Sequence, residues 1–91
     1  MDWEQKTEMC QLLNGGKYEE AVDLVVQNLE TMDEQAWDMY TAGMLLTEDN
    51  INKNREKHLK IIQHSKEVKF DSFRSAIRMA YYEELVSPTI K

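Results

Sequence analysis

Three groups of side chains in this chain have the types and spacing to take part in chemistry or recognition. The first is the row Arg74, Arg78 and Tyr82, spaced i, i+4 and i+8. On a helix such residues share one face. Arginine and tyrosine together supply large contact area and directional hydrogen bonds at low entropic cost, which suits a binding hot spot. The second is Lys53, Lys57, Lys60 and His64, spaced i, i+4, i+7 and i+11. That spacing predicts a basic stripe able to meet phosphates or an acidic protein, or else an ordinary salt-bridged surface with Glu56 and Glu67 as local partners. The third is the apolar run of Trp37, Tyr40 and Met44 within a segment that also holds Ala36, Met39, Ala42 and Gly43. It offers more apolar surface than one core face needs, so a partner protein or a second copy of the chain would cover the excess.

Catalytic patterns are scarce. Gly15-Gly16 precedes no lysine–serine pair of a phosphate-binding loop. His58 and His64 are six residues apart, which does not put them on one helical face for a shared metal. His58 falls among apolar neighbours and reads as a packed, hydrogen-bonded core histidine. Cys10 is the one cysteine, with no base near it in sequence, and reads as a small buried side chain. Glu19, Asp23 and Glu30 read as a solvated face rather than an acid–base or Mg²⁺ site. The expectation is a protein that is not an enzyme and takes no cofactor or metal.

The elements that position these residues are helical. Proline occurs once, at Pro88, and glycine three times in 91 residues, leaving long unbroken segments. Five helices are expected. The first runs from Asp2 to Leu13 and ends at Asn14-Gly15-Gly16. The second runs from Lys17 to about Met32, with Tyr18, Ala21, Val22, Val25 and Leu29 on one face. The third starts after Asp33 as N-cap and reaches Leu46; its all-round apolar character predicts a central position. Thr47-Glu48-Asp49-Asn50 is the next break. The fourth spans Ile51 or Lys53 to Val68, its inner side made of His58, Leu59, Ile61, Ile62, Ser65 and Val68. The fifth begins at Asp71 or Ser72 and ends near Val86, with Phe73, Ala76, Ile77, Ala80 and Leu85 facing inward. Residues 1–87 thus form one all-α domain, and 88–91 a short tail.

These helices echo one another. Trp3 and Trp37 are 34 residues apart, and the same shift carries Met39 onto Phe73 and Ala42 onto Ala76. The second and fourth helices match at a shift of 37, Val22 onto Leu59 and Val25 onto Ile62, which makes the second hairpin loop about three residues longer. On this background Gly16-Lys17-Tyr18-Glu19-Glu20-Ala21-Val22 resembles the entry to the second helix of a tetratricopeptide repeat, and Ala36-Trp37 with Gly43 resembles the start of the first helix of one. The family's Trp-x2-Leu-Gly reads Trp37-x2-Tyr40-Thr41 here, and its proline after each second helix is missing. The resemblance implies antiparallel helical hairpins in a stack that binds a peptide or helix. The rival architecture is an irregular five-helix bundle of the same helices.

Charge is uneven along the chain. Net charge is −6. Residues 1–50 hold two lysines and twelve acids, net −10, and residues 51–91 hold nine cations and five acids, net +4. A lone cysteine excludes an internal disulfide, and the acidic N-terminus carries no apolar run, so the chain is expected in the cytoplasm and not in a membrane. The expected role is a small protein–protein interaction module, acting as adaptor, inhibitor or regulator, with homo-oligomerisation as one form of partnering. The alternative is a nucleic-acid-binding regulator that uses the basic fourth and fifth helices, which the overall negative charge opposes.

Overall fold

The computed structural model describes residues 1–44 and 48–87. Its described residues form six α-helices and no strand, so the chain is all-α. They are α1 (Trp3–Asn14), α2 (Tyr18–Gln27), α3 (Glu34–Met44), α4 (Glu48–Lys53), α5 (Arg55–Ser65) and α6 (Phe73–Val86), with a 3₁₀ turn over Leu29–Thr31.

Local chemistry sets the helix ends. Asp2 accepts from the Gln5 amide at 2.8 Å while the Gln5 side chain accepts from the Asp2 amide at 3.0 Å, a reciprocal capping box that starts α1. Gly16 takes φ +74°, the left-handed conformation that turns the chain from α1 into α2. The second helix is shorter than its periodicity predicts. At Asn28 the side-chain amide donates to the Leu24 carbonyl at 2.8 Å and its oxygen accepts from Gln5 at 3.0 Å, so α2 stops at Gln27 and tightens into the 3₁₀ turn. Asp33 caps α3, as the sequence suggests, accepting from the Ala36 amide at 2.8 Å.

The expected break at residues 47–50 is corrected from Glu48 onward. The short helix α4 begins there and runs to Lys53, burying Ile51 and Asn50. Six residues with one apolar anchor carry no readable period, which is why composition suggested a loop. Leu45, Leu46, Thr47 and the 88–91 tail lie outside the described residues.

α1 packs on α3 and α3 on α6, while α2 packs on α5; α1 also meets α2, and α5 meets α6. α3 is therefore flanked on both sides, the central position expected for its apolar character. α1 and α3 approach closely at Gly43, where a Cβ would lie 2.8 Å from Leu13 Cδ1 and 3.1 Å from its Cβ. Only glycine fits without displacing Leu13. The core is one cluster through Met9, Leu13, Ala21, Val22, Val25, Trp37, Tyr40, Met44, Ile51, Ile61, Ile62, Met79, Tyr82 and Val86.

The charge imbalance along the chain becomes pairing in space. Lys57 on α5 binds Asp23 on α2 at 2.6 Å, and Arg78 on α6 binds Asp38 on α3 at 2.9 Å. Cations of the second half thus hold acids of the first. Lys6 adds a contact within the first half. Its nearly buried ammonium donates to Asp33 at 2.7 Å and Gln35 at 3.0 Å.

Candidate functional site: the outward face of the last helix

α6 is capped by Ser72, whose hydroxyl accepts from the Ser75 amide at 3.4 Å, and the Ser72 amide donates to Glu34 at 2.7 Å. At its far end Arg55 donates to the Val86 carbonyl, and its second nitrogen to Asn52 at 2.7 Å. A cation at a helix C-terminus also complements the helix dipole. Both ends of α6 are held, so its rotation about its own axis is fixed.

That rotation is opposite to the one expected. Ser75, Met79, Tyr82 and Val86 point inward and are buried. Of the residues expected inside, Phe73 is 81% exposed, Ile77 is 52% exposed, Ala76 and Ala80 are exposed, and Leu85 is half-buried. Tyr81 is 55% exposed beside them. The sequence holds two apolar stripes on this helix, and periodicity does not choose between them. Polar partners do. Ser75 donates to Asp38 at 3.2 Å, and Tyr82 enters a buried hydrogen-bond chain.

The residues singled out for partner binding divide accordingly. Tyr82, Trp37, Tyr40 and Met44 are wholly buried, which corrects their expected place on the surface. The apolar excess of α3 is absorbed between α1 and α6. Trp37 meets Tyr40 and Phe70 edge-on, with ring centroids 6.3 and 6.4 Å apart, and its indole N–H has no partner among the described residues. Arg78 is committed to Asp38. Arg74 alone of its row stands exposed. The basic stripe is also broken: Lys53 ends α4, Lys57 is tied to Asp23, and Lys60 is exposed on α5, with the Asn54 junction between the first lysine and the rest. The Asp23 carboxylate raises the Lys57 pKa above its ordinary value.

His58 is fully buried, as its neighbours in sequence suggested, and is the centre of a polar relay. Its Nε2 lies 3.0 Å from Asn50 Oδ1, which only accepts, so Nε2 carries the proton. Nδ1 then accepts from the Tyr82 hydroxyl at 2.6 Å, and the Tyr82 oxygen accepts from Tyr40 at 2.9 Å. Burial lowers the His58 pKa to about 4, with Arg55 nearby adding to the effect. Burial raises both phenols, and neighbouring Tyr82 raises Tyr40 further. Every member is neutral near pH 7. The relay joins α3, α4, α5 and α6 and opens toward solvent only at Asn50, 9% exposed. It fixes packing. Sequence spacing could not find it, because its four members come from four helices.

Beside Asn50 lies an open cleft of about 720 Å³ between α2 and α4, lined by Lys17, Glu19, Glu20, Asp23, Asp49 and Lys53. No group of three or more His, Cys, Asp or Glu that could hold a metal occurs among the described residues. Cys10 is half-buried and lines a small hollow with Leu13, Met39 and Gly43. No helix among them is long and apolar enough to cross a membrane. Comparison with known proteins finds no matching family model, no similar curated protein and no similar solved structure.

Proposed function

We propose that the chain is a non-enzymatic protein–protein interaction module of the cytoplasm, an adaptor, inhibitor or regulator, and that it binds through the outward face of α6. The observation that carries this is the stripe Phe73, Ile77 and Tyr81, at 81%, 52% and 55% exposure, on a helix whose other face is fully packed. Three large apolar side chains in one row are costly to leave in water, and such patches mark contact surfaces. Arg74 at the edge adds a directional, charged anchor. The resemblance to tetratricopeptide hairpins at residues 16–22 supports the same reading. The test is affinity purification from the native host with wild type and Ile77→Glu. Wild type should retain a partner that the variant loses. An identical set of partners on both would overturn the proposal.

A further inference from the structure

We infer that Asn14 is a site of spontaneous covalent modification, its amide converting to aspartate and isoaspartate, and that the turn closing α1 gates the reaction. The inference goes beyond the binding role and is independent of what α6 contacts. The chain holds five asparagines, and Asn14 alone is followed by glycine. That pairing matters because the attacking group is the next residue's backbone nitrogen, and glycine has no Cβ to hinder its approach. The Gly15 nitrogen gives up its proton to hydroxide and attacks Asn14 Cγ. The bond from Cγ to the side-chain nitrogen breaks, ammonia leaves, and a five-membered succinimide closes. Water then opens the ring. Addition at Cγ returns the ordinary backbone with an aspartate side chain. Addition at the main-chain carbonyl leaves Gly15 attached through Cγ, which is isoaspartate. One water is consumed and one ammonia released, with no oxidant or reductant.

Asn14 is the last residue of α1, and it, Gly15 and Gly16 are exposed, so water and hydroxide reach the site. The attacking nitrogen, however, is engaged. The Gly15 amide donates to the Gln11 carbonyl at 2.9 Å, the Gly16 amide to Leu13 at 3.2 Å and the Lys17 amide to Leu12 at 2.8 Å. With Gly16 at φ +74°, this is the closing pattern of a left-handed helix C-cap. All three bonds span the Asn14–Gly15 link, so the ring closes only when the turn opens. Opening of a helix end is fast beside this chemistry, so the native rate is the intrinsic rate multiplied by the open fraction. Isoaspartate adds one methylene to the main chain inside all three bonded loops. The three bonds cannot re-form together, which makes the opening one-way. Either product also places a negative charge at a helix C-terminus, where the dipole opposes it.

Peptide mapping by mass spectrometry tests this on the full chain aged in mildly alkaline buffer, with isoaspartate scored by isoaspartyl methyltransferase labelling. In concentrated guanidinium chloride Asn14 should be the first asparagine converted, and Gly15→Ala should slow it at least about tenfold. The folded wild type in buffer should convert at least about tenfold more slowly than the unfolded chain. Gly16→Ala leaves the reacting pair intact but strains the left-handed turn. It should speed conversion in buffer at least about threefold, with unchanged circular dichroism, and leave the rate in denaturant within about twofold. The isoaspartate fraction, once separated, should unfold at a lower temperature than the unaged chain. Another asparagine converting first in denaturant, equal rates for folded and unfolded wild type, or a Gly16→Ala chain that ages like wild type overturns the inference. An isoaspartate fraction with an unchanged midpoint overturns the one-way opening.

Discussion

At the residue scale, His58 carries the clearest pH dependence. Its folded pKa of about 4 lies below the ordinary 6.5, so on acidification the unfolded chain takes up its proton first. The stability this neutral histidine contributes is complete above pH 6.5 and is lost as pH falls from there to about 4. Each pKa unit is worth about 1.4 kcal/mol, so the loss attributable to His58 is roughly 2 to 3 kcal/mol. Urea unfolding at several pH values checks this. A His58→Leu variant should be less stable at pH 7, with Tyr82 and Asn50 deprived of a partner, yet show a flatter profile between pH 6.5 and 4. Tyr82→Phe removes the hydroxyl that donates to His58 and accepts from Tyr40. Both groups lose their short bond and keep only the long Tyr40 hydroxyl–His58 Nδ1 contact at 3.5 Å, so the change should cost about 1 to 3 kcal/mol, measured by the same unfolding curves.

At the scale of the element, Asp33 joins two functions, capping α3 and neutralising nearly buried Lys6 on α1. The Lys6 bond, followed by the Ala36 amide, outweighs burial and holds its pKa below the ordinary carboxylate value. Its contribution is therefore present above the unfolded pKa of 3.8 and lost as pH falls below it. Asp33→Ala should cost about 2 kcal/mol or more in thermal unfolding, and Asp33→Asn, which keeps the cap, visibly less. Gly43→Ala gains helix propensity but drives a Cβ into the stem of Leu13, so a net loss of about 1 kcal/mol is expected.

Elements are also where the sequence was most and least legible. The face of α2 and the burial of His58, Ile61, Ile62 and Ser65 on α5 follow directly from spacing, whereas Leu59, expected beside them, is 42% exposed. Single-residue events decided the rest. Asn28 cut α2 short by bonding its own backbone. Ile51 anchored a helix too short to show a period. On α6 two stripes of comparable apolarity competed, and hydrogen bonds from distant Asp38, Tyr40 and His58 selected the one with Ser75 and Tyr82. Those partners lie 24 to 42 residues away, beyond any local pattern.

For the whole molecule, the inversion of α6 reassigns the surface. Aromatic residues that looked like binding anchors became core, and residues that looked like core became an exposed stripe. Of the basic residues that looked like a phosphate surface, Lys57 instead joins the halves of opposite charge through Asp23, while Lys60 stays exposed. The Lys57–Asp23 pair is half-exposed, so Lys57→Ala should leave the thermal unfolding midpoint close to that of wild type. The interaction module depends on the orientation of α6. Thermal unfolding of Ile77→Glu beside Met79→Glu at low micromolar concentration tests that orientation most directly. Ile77→Glu should melt close to wild type, because its carboxylate enters water, and Met79→Glu should lose its cooperative transition, because its carboxylate enters the core. The reverse ranking would contradict the account.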